Sequence, residues 1–313
     1  MKLIAGNSNR PLAEKVANFL EVPLLKANIG RYADMEVFVE LEESLRGEDV
    51  FLIQSLSYPS SDYIMEMLVT LDALKRGSAR RVTAVIPYLC YARQDRRVSK
   101  RTAISGKLMA DLITKAGADR VLVMDLHAPQ IQGFFDIPVD HLSAKPVFVD
   151  HIKQHFDLAD GSDYVVVSPD VGGIMRARTV AQALDLDLAV IDKRRQTPTS
   201  CHMHHVIGDV SEKTCLLIDD MVDSANTLCQ ASEALKKAGA HNIYAYVTHG
   251  VLSGGAMAAL NSAPIENVVM TDSIYMDIFN DGNSPVEHVS VAPLIAQAIR
   301  QINNEQSIFG LVD

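Results

Sequence analysis

The chain has 313 residues, of which 48% are hydrophobic, a length too great for one ordinary core and matched to two domains of about 150 residues each. Its 29 Lys and Arg against 39 Asp and Glu give a net charge of -10, which argues against bulk nucleic-acid or acidic-membrane binding and leaves any anionic ligand to local basic clusters. Cys90, Cys201, Cys215 and Cys229 are scattered without metal or redox spacing. Only Lys2 and a few apolar residues precede the polar run at Asn7, and no apolar run reaches the roughly 18 residues needed to span a bilayer, so a cytoplasmic protein is expected.

Apolar strands alternate with helical periods along the chain, which predicts an α/β fold with parallel sheets. The first predicted strand, near 50–54, is followed by a helix near 61–76 and a strand near 82–86. Next comes Tyr88-Leu-Cys-Tyr91 and then a run from Arg93 to Arg101 with five cations in nine residues. That run reads as a nucleic-acid patch, a solvated face or a nucleotide-phosphate clamp, and the acidic whole disfavours the first. Arg93 could stack on a purine and Gln94 could hydrogen-bond it.

A helix near 103–116 leads to a strand near 121–125 and to His127. A single His after a strand is either a hydrogen-bonded structural residue or a ligand in need of a carboxylate partner. The segment Leu142-Ser-Ala-Lys-Pro146 follows one complete strand-helix series and precedes another, so the domain boundary is expected near 145, dividing 1–145 from 146–313. The two halves suggest a duplicated domain.

In open α/β sheets, ligands bind beyond the carboxyl ends of the strands. After the strand near 164–168 come Asp170 and Gly172-Gly173, a carboxylate on a turn whose glycines permit close approach and positive φ. The turn suits a metal-bound polyphosphate, or else a plain helix N-cap for the helix near 173–184. Asp170 is the candidate partner of His127. After the strand near 188–191 come Lys193, Arg194 and Arg195, then a polar stretch, 196–200, read as a mobile loop; its cations would serve a phosphoryl transition state or a solvated turn. Cys201-His-Met-His-His205 invites a metal reading, but no acid or Cys pair completes it.

The strand near 215–219 ends in Asp219-Asp220-Met-Val-Asp223-Ser224-Ala225-Asn226-Thr227 and enters a helix near 226–238. This reads as a buried strand feeding a phosphate-cradling turn, or else as an ordinary strand-to-helix turn capped by Asp and Ser. Backbone N–H groups with the Ser224 and Thr227 hydroxyls would take a phosphate, while Asp219 and Asp220 could grip sugar hydroxyls or a hydrated cation. Strands near 243–247 and 266–270 and a helix near 290–302 complete the series.

The stretch Asp125-Leu-His-Ala-Pro-Gln-Ile-Gln-Gly-Phe-Phe-Asp-Ile-Pro-Val-Asp140 resembles the signature of the ribose-phosphate pyrophosphokinase (phosphoribosyl pyrophosphate synthetase) family without a mismatch. The likeness runs from Gly47-Glu-Asp-Val50 through Tyr91-Ala-Arg-Gln-Asp95 to Gly208-Asp-Val210 and Thr248-His-Gly250, nearly the whole chain. It implies two tandem phosphoribosyltransferase-like domains and transfer of the β,γ-diphosphoryl group of ATP to the 1-hydroxyl of ribose 5-phosphate. By the same resemblance, Asp219, Asp220, Asp223, Ser224, Ala225, Asn226 and Thr227 would hold ribose 5-phosphate, with Arg195. Asp34, Met35 and Glu36 with Arg93 and Gln94 would hold ATP, His127 and Asp170 would bind Mg2+, and Lys193 would be the catalytic lysine with Arg195 its partner.

The resemblance also implies a homohexamer built from dimers and regulation by phosphate and ADP. The family usually has Thr and Gly where this chain has Ser224 and Asn226, and Asn is among the few residues that tolerate a left-handed backbone. Tyr32 and Met35 depart from the pattern of the adenine-binding segment. Lys100, Ala103, His141 and Phe309 depart from it near the regulatory positions, so weak phosphate activation is expected. Two rival readings stand beside this one: a noncatalytic regulatory subunit of the same family, which would be expected to lose loop cations or metal ligands, and a phosphoribosyltransferase, which would not require the 125–140 segment.

Overall fold

The computed structural model describes residues 1–97, 99–158, 161–194, 203–276 and 285–311; the side chains of residues 193, 194, 203 and 204 also lie outside the description. It divides into two compact units.

The first unit comprises 1–143, 273–275 and 290–313. Among the described residues its sheet has five parallel strands: β1 (Lys2–Ala5), β4 (Asp49–Ile53), β5 (Arg81–Ile86), β6 (Arg120–Met124) and β7 (Val139–Leu142), in the order β1-β4-β5-β6-β7. A two-stranded antiparallel ribbon, β2 (Ala27–Arg31) and β3 (Val37–Leu41), stands apart from it. Both faces of a parallel sheet are buried, which is why β4 reads as the near-continuous apolar run Asp-Val-Phe-Leu-Ile. Helices α1 (Arg10–Leu20), α2 (Ser60–Arg76) and α3 (Ser105–Ala116) bury one stripe each, Leu12 and Val16, Met67 and Leu71, and Met109 and Ile113. The buried Asp49 pairs with Arg80 and Arg81 at 3.0 and 2.6 Å. Burial pushes against its ionisation, but the two guanidiniums hold its carboxyl below the usual range.

The second unit comprises 144–272 and 276–289. Its seven strands, among the described residues, run in the order β10-β9-β8-β11-β12-β13-β14. They are β8 (Tyr164–Ser168), β9 (Asp187–Arg194), β10 (Met203–Ile207), β11 (Thr214–Val222), β12 (Asn242–Gly250), β13 (Asn267–Thr271) and β14 (Val286–Val289). All pairings are parallel except that of the edge strand β10 with β9. Helices α4 (Lys145–His155), α5 (Ile174–Leu184), α6 (Asn226–Lys237) and α7 (Ala256–Ser262) belong to the same unit. The core around the central strand β11 joins Cys215 and Leu217 to Val165, Ala189, Ile243, Val247 and the inner face of α6 at Leu228 and Leu235.

The last α-helix among the described residues, α8 (Ala292–Asn303), clusters with residues 1–143 rather than with 146–289, the side on which the expected boundary near 145 put it. It packs on α1 with Leu294, Ile295, Ala298, Ile299 and Ile302 buried, and Arg300 donates to the Phe19 carbonyl at 3.1 Å. The division itself falls after Ser143, because Lys145 and Pro146 open α4 rather than a linker; Pro is well suited to a first helical turn. Among the described residues no helix is long and apolar enough to cross a membrane.

Candidate functional site

Strand β11 lies at the centre of the second unit's sheet, and its last residues carry the chemistry. Asp219 and Asp220 follow the buried run Cys215, Leu216, Leu217 and Ile218. Their side chains point to opposite faces in regular strand geometry, yet both are gripped by one cation: Arg176 Nη1 lies 3.4 Å from an oxygen of each. The Asp220 N–H donates to Asp219 Oδ1 at 2.9 Å. Burial, and then the charge of Asp220, push the Asp219 carboxyl well above its ordinary value, against the pull of Arg176.

Arg176 went unnoticed in the sequence. It is the third residue of α5, where the helix dipole disfavours a cation. A basic residue in a first turn just after the Asp170-Val-Gly-Gly173 turn was the signal that an acid waits nearby.

Beyond β11, Asp223 is tied down by Ser253, whose hydroxyl donates to Asp223 Oδ1 and whose N–H donates to the Asp223 carbonyl. Helix α6 then begins at Asn226 with Ala225 as its N-cap at φ 63°, and no side chain caps it. An alanine offers no acceptor to the first-turn N–H groups, which leaves them to water or another external acceptor. Ser224 and Asn226 are exposed and Thr227 half-buried around it. The left-handed residue is Ala225, not Asn226, which is already helical; an L-residue with a Cβ there costs roughly 1 kcal/mol of strain.

Asp170 sits on the turn between β8 and α5. Its Oδ1 accepts the Gly173 N–H at 2.9 Å, and its carbonyl accepts the Ser168 hydroxyl at 2.7 Å. Gly173 is the N-cap residue itself, at φ -84°, and neither it nor Gly172 has positive φ. The two glycines serve space instead: a Cβ on Gly172 would lie 3.2 Å from Asp170 Oδ1, and one on Gly173 would lie 3.0 Å from Ser168 Oγ.

Lys193 and Arg194 extend β9 rather than following it, with Lys193 in register with His204. Arg195 and His202 lie outside the described residues, and so do the side chains of Lys193 and His204. His205 is an exposed residue of β10, the strand Met203–Ile207.

In the first unit, Asp34, Met35 and Glu36 form the tip of the β2–β3 ribbon. Asp34 Oδ1 accepts the Glu36 N–H at 3.2 Å, Tyr32 and Glu36 close the turn, and Met35 takes φ 73° with its side chain exposed. Tyr32 packs on Phe38 with ring centroids 5.0 Å apart. Gln94 Oε1 accepts the Ser105 hydroxyl at 2.7 Å, and its carbonyl accepts the Gly106 N–H, which anchors the exposed Arg93 segment to the start of α3.

His127 is exposed on the turn after β6. That turn is held by His141: the Leu126 N–H donates to its Nε2 at 2.9 Å. The preceding residue, Asp125, is buried with φ 36°. Where the family usually has Asn, the histidine still offers an acceptor. Phe309 is 78% exposed.

Among the described residues the thiols are held protonated. Burial pushes Cys90 and Cys215 up to about 12, and Cys229 is also raised, which leaves them protonated and inert.

Residues 1–117 match the model of the N-terminal domain of ribose phosphate pyrophosphokinase, and 195–312 match that of the phosphoribosyl synthetase-associated domain. The chain is 57% identical to the ribose-phosphate pyrophosphokinase of Granulibacter bethesdensis and 53% identical to that of Agrobacterium fabrum, in both cases over all of each chain. The crystal structure of phosphoribosylpyrophosphate synthetase from Mycobacterium smegmatis superposes with a TM-score of 0.89 at 41% identity, covering 97% of this chain and 99% of that one.

Proposed function

The chain belongs to the ribose-phosphate pyrophosphokinase family, and we infer that it is a catalytic member. It transfers the β,γ-diphosphoryl group of ATP to the 1-hydroxyl of ribose 5-phosphate, giving phosphoribosyl pyrophosphate and AMP. The observation that carries this reading within the chain is the pairing of Asp219 and Asp220 under Arg176 at the end of β11, next to a helix start that no side chain caps. Relatives carrying the enzyme's name along their full length speak against the regulatory subunit.

Ribose 5-phosphate would place its phosphate against the start of α6, at 223–227, and its ring hydroxyls toward Asp219 and Asp220. The raised pKa of Asp219 suits this role, since a carboxyl that ionises reluctantly gains most from hydroxyl donors or a cation. ATP would be held by Asp34, Met35, Glu36, Arg93 and Gln94, and Tyr32 beside Phe38 offers an aromatic surface near the first three. Attack of the sugar hydroxyl on the β-phosphorus builds negative charge on the transferring group and the departing AMP oxygen; Lys193 and Arg195 would meet that charge.

His127 and Asp170 would hold Mg2+. The Asp170 carboxylate, whose orientation the Gly173 N–H fixes, is the oxygen donor that Mg2+ prefers, and one or two protein ligands completed by water and phosphate oxygens suffice. Mg2+, when bound, supplies charge neutralisation of the phosphates. A homohexamer acting in the cytoplasm completes the proposal, with weak phosphate activation from the departures at Lys100, Ala103, His141 and Phe309.

The test follows AMP and phosphoribosyl pyrophosphate by chromatography from ATP, Mg2+ and ribose 5-phosphate, with and without added phosphate. Equal amounts of both products are expected, with little response to phosphate. Folded protein that binds ATP but forms no AMP would overturn the catalytic reading, and a strong saturable phosphate requirement would overturn the regulatory one.

A further inference from the structure

The second unit carries a cluster that the reaction does not use. His151 and His155 lie one helical turn apart on α4, the i, i+4 spacing that places two imidazoles on one face. Glu287, on β14, meets them. His151 Nε2 is 3.0 Å from Glu287 Oε1, and His155 Nε2 is 3.9 Å from the same oxygen. One ligand atom from each residue lies within 4.8 Å of the others.

Each of the three groups is also oriented from behind. His155 Nδ1 faces the His151 carbonyl at 2.9 Å; a carbonyl only accepts, so the proton sits on Nδ1 and the Nε2 of the neutral ring carries the lone pair. His151 Nδ1 is 3.1 Å from the hydroxyl of Tyr246, a fully buried residue whose phenol burial keeps protonated by pushing it above its usual range. A neutral His151 ring that takes a metal at Nε2 carries its proton on Nδ1 and donates it to the Tyr246 oxygen. Glu287 Oε2 accepts from Asn267 Nδ2 at 2.8 Å, which leaves Oε1 directed at the imidazoles. Outer partners that fix tautomer and carboxylate orientation are the mark of a prepared metal site.

We propose that His151 Nε2, His155 Nε2 and Glu287 Oε1 form a transition-metal site of the zinc class, with water in the fourth position. Two imidazoles and one carboxylate are a known zinc donor set, and hard Mg2+ prefers oxygen ligands. Tetrahedral coordination at about 2.0 to 2.2 Å places ligand atoms roughly 3.3 Å apart; the 3.0 Å pair already lies near that, while the 3.9 Å pair requires exposed His155 to swing out of its stack on His151, where the ring centroids are 3.8 Å apart. The site would clip edge strand β14 to α4, linking segments far apart in sequence.

The test uses the full chain, stripped with EDTA and held in excess Mg2+. Calorimetric titration with Zn2+ is compared between wild type, His155→Ala and Glu287→Gln, with circular dichroism to confirm folding. Wild type should take up Zn2+ at a site that either substitution weakens by at least about tenfold, and Zn2+ at a hundredfold excess over Kd should raise its thermal midpoint by about 5 °C or more, a gain lost in His155→Ala. Co2+ in place of Zn2+ should give the visible absorption of a four-coordinate ion in wild type alone. Zn2+ binding that both folded variants retain unchanged would place the ion elsewhere and overturn the proposal. No Zn2+ uptake by folded wild type would reduce the cluster to a hydrogen-bonded latch and overturn it as well.

Discussion

Asp219 on β11 and Glu287 on β14 are carboxylates of the same sheet, each with a nitrogen base within 3.5 Å, yet their acidities move in opposite directions. For Glu287, burial opposes ionisation, but hydrogen bonds and charge from His151, with Asn267 and His155, more than offset it and hold the carboxyl below its usual value. For Asp219, burial and Asp220 together outweigh the one shared guanidinium. An acid whose neighbours already satisfy it can rest; an acid left uncompensated strains the fold until something binds. Groups held out of balance in this way are where function is expected.

The largest effects should separate the Asp219-Asp220 pair and its loop cations from Glu287 by activity. Turnover by Lys193→Ala and by Asp220→Asn should fall at least roughly a hundredfold, because each removes a preorganised charge from substrate or transition state. Glu287→Gln should stay within about twofold in the same steady-state assay; an equal loss there would break the comparison.

Next in size is Arg176→Met, which leaves two largely buried carboxylates without their cation. A loss of about 2 to 3 kcal/mol is expected in urea unfolding, together with weaker ribose 5-phosphate binding. Asp219→Asn should do the reverse to stability. Its folded-state value is raised, so the native chain holds this proton more tightly than the unfolded one, and stability falls as pH rises from the ordinary 3.8 through the raised value. Removing the charge should raise stability at pH 7 by about 1 kcal/mol, or about 2 to 4 °C in thermal midpoint, while abolishing sugar binding. The smallest effect has the opposite sign. Glu287 contributes stability above 4.5 that is lost as pH falls through its lowered value, and because its side chain is 39% exposed the contribution is screened to about 0.5 kcal/mol. Acid titration of wild type against Glu287→Gln by circular dichroism measures it.

What the sequence disclosed follows from periodicity. The buried strands β4, β5, β6, β8, β11, β12 and β13 are apolar runs, and the amphipathic helices α2, α3, α5, α6 and α8 repeat at helical spacing, so all were legible within a few residues. The four-residue strands β1, β7 and β14 and the half-exposed ribbon β2–β3 are too short or too mixed to show a period, and β10 was hidden behind its histidines. The Asp219-Asp220 loop announced itself because its residues are consecutive. Arg176 and Ser253 did not, since only the parallel pairing of β11 with β8 and β12 brings their segments beside it. The spacing of His151 and His155 was visible, but Glu287 joins them only through strand pairing.

The return of α8 to the first unit bears on how the protein is made. A ribosome emits residues 1–143 first, yet the helix that covers α1 with Leu294, Ile295 and Ile299 emerges only after the whole second unit. The nascent first unit therefore waits with an apolar flank uncovered through the synthesis of about 150 further residues, at ordinary elongation rates an interval of roughly 10 to 30 seconds. The unit that holds residues 1–143 is the one completed last, and a premature stop before α8 would leave the flank of α1 uncovered.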